Sequence, residues 1–207
     1  MTRTLLAIVV ILTLEIQHYN SDANFGANVH IVETALGTTE ISGAENIYFD
    51  VIEPEELSYT FKIRPAKDFG SSFNSSYLGS RVRLVPTNPP WCCTHPTNAN
   101  SVRGHVALIE RGECSFVHKA TIAESIGARA VIISDNDPDS DDFYVEMIRD
   151  HSKRDISIPV AFLVGKNGRV IKSALKSLRM DYALINIPVN LTFVPINKIN
   201  QPPWMRI

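Results

Sequence analysis

Cys114 and His118 are the two side chains whose types and spacing point most directly to chemistry. They lie four residues apart at the start of a predicted helix, on one face, where a thiolate and an imidazole can form a nucleophile–base pair. The sequence identifies no third group to orient the histidine, as such sites require. A zinc site that adds Cys92, Cys93 and His95 to this pair fits no standard paired-ligand motif. We therefore expect no catalytic residue and no metal ligand in this cluster.

An acidic run near the middle of the chain has the spacing of a calcium loop. Acidic residues occupy positions 1, 3, 5, 7 and 12 of such a loop: Asp135, Asp137, Asp139, Asp141 and Glu146. Position 6 is Ser140, where the sharp turn requires glycine, and a strand rather than a helix precedes the run. We interpret the run as a solvated acidic loop followed by a helix over residues 143–148. The sequence predicts no cofactor.

The elements that position these side chains form a strand–helix–strand unit over residues 106–136. Residues 106–109 and 130–133 are short apolar runs, which are typical of strands covered on both faces. Between them, apolar residues recur at helical spacing: Phe116, Ala120, Ala123 and Ile126. Ser115 can cap the N-terminus of this helix, and Gly127 follows its last apolar position, where glycine commonly ends a helix.

The N-terminal residues indicate a cleaved secretory signal over residues 1–23. Residues 5–14 are apolar except for Thr13, which is too short a run for a bilayer span of about 20 residues. Polar residues follow, with small residues before a possible cleavage after Ala23. No second long apolar run appears, so we expect no membrane span in the mature chain. The net charge of −2 and the scattered basic residues argue against a nucleic-acid partner.

The cysteines and two sequons are consistent with secretion. Three cysteines in an oxidising compartment predict one disulfide and one remaining thiol. Adjacent cysteines bridge each other only with strain, so we expect Cys114 to pair with Cys93 or Cys92. The sequons at Asn74 and Asn190 predict N-glycosylation.

Around the central unit, the sequence divides into a flexible leader over residues 24–44, a folded part and a C-terminal extended tail over residues 197–207. Further strands are predicted at residues 46–52, 57–63, 81–85, 158–164 and 183–194, with a second helix at residues 169–178. Pro188 interrupts the last strand, which places that strand at a sheet edge or at a bulge. Pattern alone would favour a small doubly wound sheet.

The central unit resembles the signature of the protease-associated (PA) domain family. The family pattern is an apolar strand, Arg-Gly-x-Cys-x-Phe, a helical lysine, Gly-Ala and a second apolar strand. It is matched here by Arg111, Gly112, Cys114, Phe116, Lys119, Gly127 and Ala128. Residues 65–70, 143–148 and 201–204 resemble one branch of small secreted glycoproteins.

The resemblance implies an α+β fold, a strand-rich open barrel or sandwich flanked by about two helices, over residues 45–196. In the branch that it resembles, one cysteine stands at the position of Cys93, which implies a Cys93–Cys114 disulfide and leaves Cys92 without an assigned partner.

These observations together predict a secreted, N-glycosylated, non-enzymatic module that binds an unidentified protein or peptide. PA domains in related proteins are thought to bind partners or to govern substrate access, and no hydrolase, phosphate-loop or dinucleotide motif is present. Docking is expected near residues 71–76 and 137–142. The alternatives are a divergent Cys/His-based hydrolase or metal-dependent enzyme, and a secretory-pathway sorting factor.

Overall fold

The structure is a computed structural model that describes residues 30–33, 39–42, 46–73, 81–142 and 144–205. The chain separates into two units, Met1–Gly43 and Ala44–Ile207. In the first unit, β1 (His30–Glu33) pairs antiparallel with β2 (Thr39–Ser42), within the stretch that the sequence predicts to be a flexible leader. The predicted signal peptide over residues 1–23 lies outside the described residues.

The second unit is a closed barrel of seven strands in the order β3-β4-β8-β7-β6-β5-β9. The strands are β3 (Ile47–Glu53), β4 (Thr60–Pro65), β5 (Val82–Pro86), β6 (Val106–Glu110), β7 (Ala130–Ser134), β8 (Val160–Leu163) and β9 (Ala183–Val189). Strands β5 to β8 run parallel, and the remaining pairings are antiparallel. The strand-rich fold is confirmed, but the barrel is closed, because β9 pairs with both β3 and β5.

Within the described residues, the barrel is flanked by α1 (Ala99–Val102), α2 (Phe116–Ser125) and α3 (Gly165–Leu178). Two 3-10 turns cover Glu55–Leu57 and Ile196–Lys198. The two helices expected from the sequence correspond to α2 and α3, and α1 is an additional single turn of four residues. Among the described residues, no helix is both long and apolar enough to cross a membrane.

The predicted helix at residues 143–148 is wrong over its described part, because residues 144–150 have no regular structure. Tertiary contacts hold this segment in place. Met147 is buried, the Tyr144 ring lies 6.4 Å from that of Phe162, and Lys67 Nζ contacts Glu146 Oε1 at 2.8 Å.

The parallel strands are apolar on both faces, and this divides the interior into two cores. Val106 and Leu108 of β6 face the barrel interior, whereas Ala107 and Ile109 face the layer beneath α2. The same alternation continues through β7 and β8, which explains why their sequences lack a polar face. The predicted unit of β6, α2 and β7 is therefore present, with β6 and β7 parallel and in register from Val106↔Ala130 to Glu110↔Ser134.

Strand β9 bears a bulge at Pro188 and does not lie at a sheet edge. Its pairing with β3 shifts between Tyr48↔Val189 and Asp50↔Asn186, so two residues of β9 stand opposite one residue of β3. A proline lacks the backbone N–H that a ladder requires, and a bulge leaves one residue unpaired. Of the two interpretations from sequence, the bulge agrees with the structure.

The C-terminal tail packs on the barrel near the start of β4. Thr60 N donates to Asn200 O at 2.8 Å, and Trp204 Nε1 donates to Asn167 Oδ1 of α3 at 2.9 Å. The Trp204 ring meets the Tyr59 ring edge-on at 5.2 Å. These contacts connect the tail to both β4 and α3.

Candidate functional site

The turn between β6 and α2 contains three of the seven signature residues, Arg111, Gly112 and Cys114. Gly112 has φ +111°, a backbone conformation that side chains with a Cβ rarely adopt, so glycine is required there. Arg111 donates through its NH1 group to the buried carboxylate of Asp135 at 3.1 Å and so connects this turn to the end of β7. The turn is thereby fixed by contacts within the scaffold.

The start of α2 is fixed by a cap and by a disulfide bond. Ser115 accepts a hydrogen bond from His118 N at 3.1 Å and donates to Asp150 Oδ2. Cys114 forms a disulfide with Cys93, with the Cα atoms 5.9 Å apart. Of the two partners left open by residue spacing, the structure has the one that the family resemblance implies.

Lys119 lies in the protein interior and connects α2 to the loop before β6. Its side chain is 0% exposed, and Nζ donates to Trp91 O at 2.6 Å and lies 3.6 Å from Cys93 Sγ. Burial is the main cause that lowers the pKa of Lys119 to about 8, against which nearby acidic groups act. Sequence reasoning missed Trp91 as its partner, because a backbone acceptor leaves no signal in residue identity.

The other signature residues pack or turn the chain. Phe116 lies partly buried against the core under α2, and Ala128 is buried in that core. Gly127 donates its backbone N–H to Glu124 O at 2.9 Å and ends α2. The sequence-predicted signature is therefore a set of structural positions.

The thiolate–imidazole arrangement suggested by Cys114 and His118 is not formed. Cys114 is bonded to Cys93, and the His118 ring nitrogens lie 3.0 Å from Cys93 O and 3.0 Å from an Arg154 nitrogen. The remaining thiol, Cys92, is fully buried, and burial raises its pKa to about 11. A buried protonated thiol is a poor nucleophile.

The carboxylates of the acidic run after β7 contact basic side chains and backbone N–H groups of this chain. Asp135 binds Arg111, Asp141 binds Lys166 at 3.1 Å, and Glu146 binds Lys67. Across the described ranges, no three His, Cys, Asp or Glu side chains come together in a way that could hold a metal ion. The five acidic residues with calcium-loop spacing are therefore not brought together around one point in the described structure.

A crevice of about 300 Å³ opens where the parallel strands end, and we name it the strand-end crevice. The carboxyl ends of parallel strands meet at one edge, which is the usual position of ligand sites in open α/β sheets. Its lining residues come from the ends of β6 and β7 and from α3: Glu110, Asp135, Asn136, Pro138, Gly165, Arg169, Lys172, Ser173 and Lys176. Lys172 Nζ pairs with Glu110 Oε1 across it.

The N-terminus of α3 beside this crevice is covered by the acidic loop. Lys166 N donates to Ser140 O at 2.8 Å, and a Cβ on Gly165 would lie 1.7 Å from Asp137 O. Only glycine permits this approach. Helix α3 begins at Gly165, four residues before the start at residue 169 that the sequence predicts. Further along α3, the crevice is lined by Arg169, Lys172, Ser173 and Lys176.

A second cleft, of about 540 Å³, lies beside the segment that follows β4, and we name it the lateral cleft. Its lining includes Phe69, Ser71, Phe73, Arg149 and Asp155. Arg149 N donates to Asp68 Oδ1 at 2.9 Å, which holds its two sides together. Of the predicted docking loops, residues 71–73 border this cleft, and the loop at 137–142 borders the strand-end crevice through Pro138.

The two predicted glycosylation sites differ in what the structure describes. Asn190 is exposed, and its Oδ1 accepts a hydrogen bond from Thr192 N at 2.9 Å. Asn74 lies outside the described residues.

Comparisons with known proteins agree with this architecture. The family model described as "PA domain" matches residues 80–171. A "PRADC1-like protein" of Drosophila melanogaster is 51% identical over 170 residues, which cover 81% of this chain and 86% of that protein. The human "ER degradation-enhancing alpha-mannosidase-like protein 3" is 34% identical over 106 residues, which cover 49% of this chain and 11% of that protein.

Among solved structures, an "Aminopeptidase from Aneurinibacillus sp. strain AM-1" aligns with a TM-score of 0.50 and 17% identity. The alignment covers 69% of this chain and 30% of the aminopeptidase. At that identity the likeness shows the fold alone.

Proposed function

Because this chain belongs to the protease-associated (PA) domain family, we propose that it is a secreted, N-glycosylated protein that binds another protein or a peptide and performs no catalysis. The observation that carries this proposal is the state of the family signature. Cys114 forms a disulfide, and the buried Lys119 donates a hydrogen bond to Trp91 O. Residues that could act as nucleophiles are used to fix the scaffold, which leaves the loops around it to make contacts.

The proposed binding surfaces are the strand-end crevice and the lateral cleft. Both are bordered by exposed loop residues held on a rigid barrel, the usual arrangement of recognition loops. The contacts of Arg111 with Asp135 and of Arg149 with Asp68 order the walls of these two sites before a partner arrives. Preorganised walls reduce the entropy lost on binding.

Secretion is supported by the apolar N-terminal run, by the disulfide bond and by the exposed sequon at Asn190. Disulfides persist in the secretory pathway and outside the cell, where thiols are not kept reduced. Glycosylation at Asn190 requires the exposure that this side chain has.

The test is expression of the full chain in animal cells, followed by mass spectrometry of the unreduced protein from the medium. We expect an N-terminus after Ala23, glycans at Asn74 and Asn190, and a peptide cross-linked through Cys93 and Cys114. A protein retained in cells with high-mannose glycans would favour the sorting factor, and a free Cys114 thiol would favour the Cys/His enzyme. Either result would overturn the proposal.

A further inference from the structure

Helix α3 presents a row of cations to the strand-end crevice. Its sequence from Gly165 to Leu178 contains four basic residues and no acidic residue. Arg169, Lys172 and Lys176 follow one another at spacings of three and four residues, so they share one helix face. All three line the crevice together with Ser173. A linear row of cations on one face is suited to a ligand that carries several negative charges in sequence.

The chain's own acidic residues show what kind of group this face accepts. Asp141 pairs with Lys166 at 3.1 Å, Asp139 approaches Arg169 at 3.7 Å, and Glu110 pairs with Lys172. Carboxylates from the acidic loop and from a strand end thus already lie along α3.

Lys176, one turn further along, is exposed, and among the described residues it has no acidic partner. The side chain of Asp139 is 89% exposed at its contact with Arg169, so a competing carboxylate can replace it at little cost.

We propose that the strand-end crevice binds an acidic segment of a partner protein, with Arg169 and Lys176 as the cations that receive its carboxylates and Lys172, paired with Glu110, between them. This inference rests on the proposed function as a binding module. Asn136 and Ser173 supply hydrogen-bonding groups beside the cations. The crevice wall also carries Glu110 and Asp135, which repel a densely sulfated polymer more than a peptide whose carboxylates are spaced apart.

The experiment measures fluorescence anisotropy of a labelled octapeptide of alternating Glu and Gly, titrated with the full secreted protein. The same peptide with Gln in place of Glu is the ligand control. The test variants are Lys176→Gln and Lys176→Glu, which change an exposed side chain. Lys153→Glu makes the same charge reversal at another exposed lysine. Thermal unfolding of each variant monitors folding.

We expect the Glu peptide to bind and the Gln peptide to bind far more weakly. Lys176→Gln should raise Kd by about fivefold, the upper range for one exposed ion pair, and Lys176→Glu should raise it further. Lys153→Glu should leave Kd within about twofold of the wild-type value, because Lys153 does not line the crevice and salt screens exposed charges over about 10 Å.

Three results would overturn the inference: equal binding of both peptides, equal weakening by Lys153→Glu, or a heparin octasaccharide that binds more tightly than the Glu peptide in a Lys176-dependent way. If a partner captured from extracellular fluid binds wild type and Lys176→Glu equally, the crevice assignment fails while the proposed function stands. If no partner is captured at all, the proposed function fails.

Discussion

Replacing Cys93 and Cys114 together by alanine should destabilise the barrel by about 3 kcal/mol. The bond joins residues 21 apart in sequence, and the chain-entropy relation gives about 3 kcal/mol for a loop of that size. The double substitution is needed because a single one leaves a free cysteine near Cys92, which could form a new pair. For a domain of this size the loss corresponds to a Tm lower by roughly 6–12 °C.

The assay is urea unfolding of the secreted protein, with and without reductant, for wild type, the double variant and Cys92→Ala. Reductant should lower the stability of wild type to about that of the double variant and should leave the double variant unchanged. Cys92→Ala removes a buried sulfur but keeps the cross-link, so it should remain sensitive to reductant.

Two results would contradict the predicted role of the disulfide. If Cys92→Ala abolishes the sensitivity to reductant, Cys92 is the partner of Cys114. If the double variant loses less than about 1 kcal/mol, the bond does not restrain the unfolded chain as the loop model requires.

Three further predictions concern other positions. Folding lowers the pKa of Lys119 from 10.5 to about 8, so the Lys119 ammonium loses its proton at a lower pH in the folded state than in the unfolded state. The free energy of unfolding of wild type should therefore rise relative to that of Lys119→Met between pH 8 and 10.5, by up to about 3 kcal/mol. Urea unfolding in a Cys92→Ala background measures this rise, and parallel pH profiles would contradict it. Gly165→Ala should lower Tm by several degrees or prevent secretion, because its Cβ would lie 1.7 Å from a backbone oxygen. The control Gly104→Ala has open space at its Cβ but a positive φ, so it should lower the free energy of unfolding by only about 1 kcal/mol. Asn190→Gln should remove one glycosidase-sensitive mass step, and an unchanged mass would show that this sequon is unused.

The part of the fold that sequence could predict is the part whose evidence is local. Strands β6 and β7 are apolar on both faces, Ser115 caps α2, and Gly127 ends it, so each signal lies within a few residues of the element that it defines. The strand–helix–strand unit follows from these signals without tertiary information.

Closure of the barrel could not be predicted in the same way. It depends on β9 pairing with β3 and β5, as in the hydrogen bond from Arg81 N to Asn186 Oδ1, between residues 105 apart in sequence. The hydrophobic periodicity of one strand does not indicate with which distant strand it will pair. The start of α3 was missed for a related reason: Gly165 and Gly168 lower helix propensity, but both are required by close contact with the preceding strand and loop.

The sequence analysis named loops that border the two candidate sites, but it did not identify the cations of α3. The two possible partners of Cys114, Cys92 and Cys93, are adjacent in sequence, so residue spacing could not distinguish them. The family resemblance indicated Cys93. The basic face of α3 did leave a signal, since Arg169, Lys172 and Lys176 recur at helical spacing with no intervening acid. Only the fold shows that this face meets the ends of β6 and β7.

The claim that this protein acts by binding is tested most directly by capture from extracellular fluid on the immobilised, glycosylated chain. Bound proteins are quantified while free chain is added as competitor. If this protein acts by binding, at least one partner is retained intact, saturates the surface and is displaced by the free chain in proportion to its concentration. The binding function is contradicted if no retained protein is displaced, or if retained proteins are cleaved at a rate that depends on the amount of this chain.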